Sequence, residues 1–234
     1  MVDNGKDAVD ARVESARIGK RDGEASRRLL LAAARAEFAA KGLMGARVDE
    51  IARGAGLNKQ LVYHYFGSKD DLYVAVLERV YAEIREQERA LSLGDLPPRQ
   101  AMVKLIGFSF DYLAAHPDFI ALLNDENGQG GRHLAASRRM HEMHSPLIAL
   151  IRRTLRRGVA LGAFRRGIDA LQLYISIAGL AYFYFSNNRT LSAIFDRDLG
   201  TTQAIAARRR HVVDFVMTAL RPGPVGVASA SRHG

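Results

Sequence analysis

The sequence predicts an all-α protein with two helical domains. Apolar residues recur at intervals of three and four along most of the 234-residue chain, which is the spacing of helices with one buried face. From residue 98 onwards, no segment alternates apolar and polar residues in the two-residue period of a strand. Glycine and proline cluster between helical segments, most clearly in LSLGDLPPR at residues 91–99, where one helix ends and the next begins.

The composition limits the class of protein. A chain of this length can bury a substantial core in one large or two smaller domains. It contains no cysteine, which excludes disulfides and cysteine nucleophiles and suits a reducing compartment. The N-terminal residues are charged and lack the apolar stretch of a signal peptide. The longest apolar run, residues 171–185, is shorter than the roughly 18–20 residues that span a bilayer. We therefore expect a soluble, cytoplasmic protein without membrane contact.

The first predicted helix follows an irregular segment. Residues 1–22 mix acidic and basic side chains without periodicity and predict a disordered arm. Residues 25–41 predict a helix, because Leu30, Ala33, Ala34 and Phe38 form one apolar stripe and alanine favours helix. A glycine at position 42 then ends it.

Residues 47–69 predict two short helices joined by a tight turn. Gly56 can adopt the positive φ that such a turn requires, and Asn58 is a candidate N-cap for the second helix, residues 59–66. That second helix carries lysine, glutamine, tyrosine and histidine and no acidic residue. These side chains suit the major groove of DNA, which the second helix of a helix–turn–helix motif enters.

A long helix and a further helical region follow the turn. Ser68 caps a helix that runs to about residue 91, so its start belongs to the DNA-binding domain and its end lies beyond it. The other predicted helices cover residues 98–115, 117–127, 132–161, 167–188 and 201–221.

The segment LLAAARAEFAAKGLMGARVDEIARGAGLNKQLVYHYFGSKDDLYVAVL resembles the DNA-binding domain of TetR/AcrR-type bacterial transcription regulators. The motifs F-A-x-K-G, I-A-x-x-A-G, Y-x-Y-F and S-K-x-x-L occur in the order and spacing of that family, and the similarity covers about residues 27–78. The resemblance implies a homodimeric repressor that a small molecule releases from its operator, not an enzyme, with no cofactor or metal. The expected divisions are a disordered arm at 1–22, a helix–turn–helix DNA-binding domain at 23–70, a helical effector-binding and dimerisation domain at 71–221 and a disordered tail at 222–234.

The second short helix supplies the candidates for base contacts. Its first residue, Lys59, can bind guanine and Gln60 can bind adenine, each good contact discriminating by about 1–3 kcal/mol. The resemblance implies phosphate contacts from Tyr63 and Lys69. The predicted DNA-binding residues are Arg47, Lys59, Gln60, Leu61, Tyr63, His64, Tyr65 and Lys69.

Two positions in this motif carry an alternative interpretation. The family commonly has threonine or serine just before the first short helix, where this chain has Ala46 and Arg47. Arginine can replace the usual phosphate contact there but cannot replace the capping hydroxyl. Tyr65 can equally pack in the core beside Phe66.

The segment 171–185, LQLYISIAGLAYFYF, is apolar nearly all the way round, so it must be covered on more than one side. A partner subunit can cover the second side, and the last helix offers another apolar stripe. The resemblance implies dimerisation through these two helices, which suits a palindromic operator. The predicted dimer residues are Leu171, Ile175, Ala178, Tyr182, His211 and Phe215.

An effector pocket is implied by the resemblance rather than by a motif. Aromatic and small polar residues at inward helical spacing are the candidates, although such residues also form ordinary cores. The predicted pocket residues are Phe108, Tyr112, Asn124, Asn127, Met140, His141, His144, Tyr174 and Tyr182. HPDFIALLNDEN and LYISIAGLAYFYFSNNRTLSAIF are similar to a subgroup that includes repressors of nicotinate and pyrimidine catabolism. That similarity implies a small aromatic or heterocyclic acid as effector.

Two other functions remain open from the sequence. An all-α enzyme or metal site could use His141 and His144 with Asp125 or Glu126, although two histidines without a clear third ligand are a weak signal. A nonspecific DNA-binding protein would explain the net charge of +9. Most of that excess lies in residues 132–166. Arg152, Arg153, Arg156 and Arg157 in this region are most simply a solvated face, with an anionic effector site or a second DNA contact as the alternative.

Overall fold

The computed structural model describes residues 4–223, without the side chains of residues 4–21, 141 and 143–145. Over the described residues the regular structure is helical, as the sequence predicts, and contains no strand. The helices are α1 Asn4–Gly45, α2 Val48–Gly54, α3 Lys59–Phe66, α4 Lys69–Ala90, α5 Pro98–Ala115, α6 Pro117–Gly128, α7 Arg132–Ala136, α8 Arg138–Ala160, α9 Ala170–Ser186, α10 Asn188–Ile194 and α11 Thr202–Ala219, with a 3-10 turn at Leu93–Asp95. Within this described part, no helix combines the length and apolar character needed to cross a bilayer.

Helix α1 is longer than predicted at its N-terminal end. It begins at Asn4 and includes residues 4–22, for which we predicted a disordered arm. Eight of these 19 residues are alanine, arginine or lysine and none is proline, so their helix propensity is favourable despite the lack of an apolar stripe. At the other end, Gly42 has a left-handed φ of 66°, so the regular helix is interrupted where the sequence predicts its end.

The C-terminal half follows the predicted helices with two added breaks. The segment predicted as one helix at 132–161 divides at Ser137, which has an extended backbone and donates its hydroxyl to Glu78 at 2.7 Å. The helix predicted at 167–188 ends at Ser186, and the short helix α10 follows it. The predicted tail lies outside the described residues from residue 224 onwards.

The chain forms two compact units. The N-terminal unit comprises Met1–Val80 and Ala121–Ser137, and the C-terminal unit comprises Tyr81–Ile120 and Arg138–Gly234. We predicted a single boundary between residues 70 and 71. The structure differs because the second half of α6 and all of α7 pack with α1 and the start of α4.

The core of the N-terminal unit is built on the predicted stripe of α1. Leu30, Ala34 and Phe38 are fully buried, as are Val62 of α3 and Tyr73 of α4. The rings of Phe38 and Tyr73 meet edge to face with centroids 5.1 Å apart. Burying side chains of this size stabilises a fold by about 1.5–3 kcal/mol each, so this cluster holds the short helices α2 and α3 in place.

Helix α5 forms the centre of the C-terminal unit. It packs against α8, α9 and α11, and its residues Met102 and Phe110 are fully buried. The ring of Phe110 lies 4.9 Å from that of Phe185 on α9. On α11, Arg209 donates two hydrogen bonds to the Asp111 carboxylate of α5, at 2.7 and 2.8 Å. This bidentate pair fixes α11 against the central helix.

Candidate DNA-binding interface

The turn before α3 has the predicted geometry. Gly56 adopts a φ of 66° and permits the sharp change of direction after α2. The side chain of Asn58 accepts a hydrogen bond from the backbone N–H of Gln60 at 2.9 Å, so it caps α3 as predicted. An asparagine N-cap stabilises a helix by about 1 kcal/mol, which matters for a helix of only eight residues.

Helix α3 has one buried and one exposed face. Val62 is fully buried and anchors the helix to the core of the N-terminal unit. Gln60, Tyr63 and His64 are exposed, with 46% of the Tyr63 surface accessible. Exposed hydrogen-bonding side chains on an anchored helix are the arrangement that base and phosphate contacts need.

The remaining predicted residues of α3 are partly covered. Leu61 and Tyr65 are half-buried. The ring of Tyr65 meets His64 edge to face, with centroids 4.9 Å apart, and Phe66 at 6.5 Å. The guanidinium of Arg27 lies 5.2 Å from the Phe66 ring centroid, which couples α1 to the end of α3. Tyr65 therefore takes part in packing and leaves only part of its surface for DNA.

Lys59 is held by an acidic residue of the preceding helix. Its ammonium lies 2.9 Å from the carboxylate of Asp49 on α2. The hydrogen bond to Lys59 lowers the pKa of Asp49 and reciprocally raises the pKa of Lys59. Both side chains are about half exposed, so water and salt weaken this pair. A DNA contact by Lys59 has to exchange Asp49 for a base or phosphate.

The predicted phosphate ligands Arg47 and Lys69 lie at the joint between α1 and α2. Within the described residues, the Arg47 side chain makes no capping hydrogen bond to α2, in agreement with the missing capping hydroxyl. Its backbone N–H instead donates to Glu37 at 3.2 Å, while its side chain is exposed. The Lys69 ammonium donates to the carbonyl of Ala46 at 3.1 Å and is half-buried. Lys69 thus fixes this joint, and its phosphate contact stays a prediction.

Ser68 and Asp71 fix the direction of the chain after α3. The Ser68 hydroxyl accepts from the Asp71 N–H at 3.0 Å and donates to the Asp71 carboxylate at 2.6 Å. This reciprocal arrangement caps α4 and places negative charge at its N-terminus. The cap is the one that the sequence predicts for Ser68.

Asp125 has a structural function that the sequence analysis missed. Its carboxylate accepts from the backbone N–H of Leu43 at 2.9 Å, the Tyr73 hydroxyl at 2.8 Å and the Gln129 amide at 3.0 Å. Gly42 makes the close approach possible, because a Cβ at that position would lie 2.5 Å from an Asp125 oxygen. Burial and the hydrogen bond to Asp125 raise the pKa of Tyr73. Asp125 therefore holds the broken end of α1 against α4 and α6.

The neighbouring Glu126 is also engaged in structure. It is 1% exposed and accepts from the backbone N–H groups of His133 and Leu134 at 2.8 and 3.0 Å. Its second oxygen lies 2.7 Å from Nδ1 of His133, whose Nε2 lies 3.5 Å from Asp70 at the start of α4. These contacts occupy the carboxylate that the enzyme and metal interpretations require. The side chains of His141 and His144 lie outside the described residues.

The predicted dimer residues lie at the surface of the C-terminal unit. Leu171, Ile175 and Phe215 are 48%, 52% and 56% exposed, and His211 is exposed with its ring stacked 6.0 Å from that of Phe215. Ala178 and Tyr182 are half-buried. Phe183, which the prediction omitted, is 56% exposed and extends the same apolar surface of α9.

The predicted pocket residues whose side chains the structure describes range from buried to exposed. Tyr112 is buried and stacks on His116 with ring centroids 4.0 Å apart, so it belongs to the core. Met140 is also buried, whereas Phe108, Tyr174 and Tyr182 are half-buried. Asn124 and Asn127 are exposed and belong to the N-terminal unit. Helical spacing selected these residues, but the spacing alone does not distinguish core from pocket.

The arginine-rich region has the exposed character that the sequence predicts. Arg152, Arg156, Arg165 and Arg166 are exposed around an open depression of about 570 Å³ between the end of α8 and the start of α9. Arg165 donates to the carbonyl of Ala219 at 2.8 Å. The region is therefore a solvated surface of the C-terminal unit.

Comparison with known proteins identifies both halves of the chain. The family model for bacterial regulatory proteins of the tetR family matches residues 30–76. The model for the tetracyclin repressor-like C-terminal domain matches residues 98–216.

Similar proteins extend over most of the chain. The chain is 35% identical over 192 residues to the HTH-type transcriptional repressor NicS of Pseudomonas putida. The aligned residues cover 82% of this chain and 91% of that protein. The chain is 33% identical over 199 residues to the HTH-type transcriptional repressor SCO4008 of Streptomyces coelicolor, covering 84% and 100%. Among solved structures, the putative transcriptional regulator SCO4942 of Streptomyces coelicolor is similar with a TM-score of 0.63 and 29% identity, covering 84% of this chain and 99% of that one.

Proposed function

Because the chain belongs to the TetR family of bacterial regulatory proteins, we propose that it is a repressor that binds a palindromic operator as a homodimer and leaves it when a small molecule binds the C-terminal unit. The observation that carries this proposal is the exposed face of α3. Gln60, Tyr63 and His64 project from a helix that Asn58 caps and Val62 anchors.

Base reading is assigned to the start of α3. In helix–turn–helix proteins, the N-terminal residues of the second helix reach base edges in the major groove. An exposed glutamine at position 60 can form two hydrogen bonds to adenine, which discriminates by about 1–3 kcal/mol against another base. Arg47 and Lys69 are proposed to contact phosphates at the flanks of the same helix.

Dimerisation is assigned to α9 and α11. Two reading helices have to meet half-sites about 34–36 Å apart on one face of the DNA. The exposed apolar side chains Leu171, Ile175, Phe183 and Phe215 support an interface on these helices, because contiguous exposed apolar surface is unfavourable in water. A two-fold contact of this kind buries the same residues in both subunits.

We assign the release of the operator on effector binding to a shift between two conformers of the dimer. A ligand that binds one conformer more tightly moves the population toward it, and a coupling of about 1–3 kcal/mol changes operator affinity roughly 5- to 150-fold. The resemblance of HPDFIALLNDEN and LYISIAGLAYFYFSNNRTLSAIF to a subgroup that includes repressors of nicotinate and pyrimidine catabolism supports a small aromatic or heterocyclic acid as the ligand.

A selection from random-sequence duplexes, followed by mobility shift at matched salt, tests the proposal. The purified chain should enrich a palindrome and bind it roughly 10³-fold or more tightly than scrambled DNA. Gln60→Ala removes the contact from both half-sites and should lose at least about 30-fold in affinity for the palindrome, whereas Gln100→Ala, an exposed glutamine of α5, should bind like the parent. Enrichment of no consensus, with affinity governed by salt alone, would overturn the proposal.

A further inference from the structure

A cavity of about 260 Å³ lies in the C-terminal unit between the end of α4, the turn Leu93–Asp95 and α8. Its walls combine the side chains of Leu147 and Leu150 on α8 with charged residues of α4. An engineered cavity of about 150 Å³ holds benzene, so this one has room for an aromatic ring with a carboxylate and one further small substituent.

The charged wall is a buried ion pair with imperfect geometry. Arg85 and Glu88 are only 3% and 4% exposed. Nη1 of Arg85 lies 2.7 Å from Oε2 of Glu88, but the two groups are not aligned for a hydrogen bond. Nη2 of Arg85 donates to the hydroxyl of Tyr174 on α9 at 3.1 Å, and the guanidinium lies 5.7 Å from the centroid of that ring.

One donor group of this arginine, Nε, has neither a hydrogen bond nor an ion-pair contact, whereas Nη1 faces Glu88 and Nη2 donates to Tyr174. Among the described residues, Nε and Nη1 of Arg85 and Oε2 of Glu88 have no hydrogen-bonding partner. Buried polar groups are nearly always hydrogen-bonded, because an unpaired one keeps the full cost of its desolvation. A buried guanidinium that lines a cavity with an unused N–H group is therefore suited to an anion that enters from outside.

The electrostatics favour an anion over a cation. Burial raises the pKa of Glu88 to about 7, against the opposing effect of Arg85 and Arg89. Near neutral pH, Glu88 is thus partly protonated and compensates the charge of Arg85 incompletely. Arg89 and Arg153, both exposed at the cavity, add positive charge that attracts anions.

We propose that this cavity is the effector site of the regulator and that it binds a small aromatic monocarboxylate, whose carboxylate accepts a hydrogen bond from Arg85 while its ring packs on Leu147 and Leu150. The assignment rests on the proposed function, since it gives the ligand class and the residues of the effector site assumed there. A charge-assisted N–H···O bond from Nε of Arg85 orients the carboxylate of the acid toward this wall.

Calorimetric titration of the full chain with matched probes tests the site. Benzoate and nicotinate should bind, whereas the neutral amides benzamide and nicotinamide should bind at least about tenfold more weakly, because they lack the charge that Arg85 recognises. Arg85→Gln should reduce affinity for both acids at least about tenfold, and Arg99→Gln, an exposed arginine of α5, should leave it unchanged.

A second variant covers the case in which Arg85→Gln fails to fold. Arg85→Met combined with Glu88→Leu replaces the buried pair with apolar residues of similar volume, a change that buried ion pairs generally tolerate. This double variant should keep its helical circular dichroism and lose acid binding. Equal binding of acids and amides, acid binding by the double variant, or no binding of either acid up to about 10 mM would overturn the assignment. Operator affinity without ligand is measured separately, so failure of the site is distinguishable from failure of the repressor function.

Discussion

Removing the carboxylate of Asp125 should destabilise the N-terminal unit selectively. Three donors converge on this side chain, from Leu43, Tyr73 and Gln129, at 2.8–3.0 Å. Asp125→Ala deletes the acceptor for all three and leaves the Tyr73 hydroxyl, in a fully buried residue, with only a 3.4 Å contact to the carbonyl of Leu122. The end of α1 loses its attachment at the same time.

The expected loss is about 3 kcal/mol of unfolding free energy. Hydrogen bonds to a charged group contribute about 1.5–3 kcal/mol each, and an orphaned buried hydroxyl costs about 1–3 kcal/mol. The three contributions are less than additive, because the three donors share one carboxylate. Tyr73→Phe removes one donor only and should cost about 1 kcal/mol. Against a typical total of about 5–15 kcal/mol, the Asp125→Ala loss is large.

Urea denaturation with amide hydrogen exchange measures this loss by region. The chain contains no tryptophan, so far-ultraviolet circular dichroism follows the global transition and exchange rates assign it to one unit. Asp22→Ala, an exposed aspartate of α1, is the control and should change stability by less than about 0.5 kcal/mol. A loss below about 1 kcal/mol for Asp125→Ala, or faster exchange confined to the C-terminal unit, would refute the reasoning.

Three further predictions follow from single contacts. Asn58→Ala removes the N-cap of α3 and should cost about 1 kcal/mol in thermal unfolding and weaken operator binding, while Asn188→Ala should leave DNA affinity unchanged. Phe215→Asp places a charge on the exposed apolar surface of α11 and should shift the proposed homodimer toward monomer in sedimentation experiments; an unchanged dimer would locate the interface elsewhere. Burial raises the pKa of Glu88 from 4.5 to about 7, so the folded protein holds this proton more tightly than the unfolded chain does. The contribution of this proton to the unfolding free energy is fully present below pH 4.5 and is lost as pH rises through 7. Glu88→Gln should therefore gain stability relative to the parent, by about 2–3 kcal/mol between pH 5 and pH 8 in urea titrations, and a constant difference across that range would contradict the cause given for the pKa.

The local geometry of the reading motif could be predicted because short-range chemistry determines it. Only a glycine adopts the left-handed turn at position 56 without strain, and an asparagine at position 58 reaches the N–H two residues later. The break at Gly42 and the Ser68 cap follow from the same kind of signal. Their partners lie within a few residues, so the sequence contains the whole interaction.

The function of Asp125 could not be predicted because its partner is distant in sequence. It accepts from Leu43, 82 residues earlier, and no local pattern links the two. The same limit applies to Lys59. The sequence predicts that its ammonium is free to contact DNA, whereas in the folded chain it lies beside the Asp49 carboxylate of α2. Contacts of this kind depend on how helices pack, which periodicity does not specify.

The burial of Arg85 and Glu88 on α4 could not be predicted from the composition of their segment. Arg85 and Glu88 lie in YAEIREQERA, which looks like the solvated face of a surface helix. Packing against α8 and α9 buries them instead. The sequence predicts a pocket lined mainly by aromatic and small polar residues, whereas charged and aliphatic side chains line the described cavity beside this pair.

Hydroxyl-radical footprinting on the selected palindrome tests the central claim, that α3 reads an operator in a two-fold dimer, most directly. The parent should protect two symmetric half-sites whose centres are about 34–36 Å, or one helical turn, apart or a multiple of that spacing. Gln60→Ala should lose both protections together at the same salt and protein concentration. Uniform protection along the duplex that fades only with added salt would contradict the account, because such binding needs charge but no reading helix.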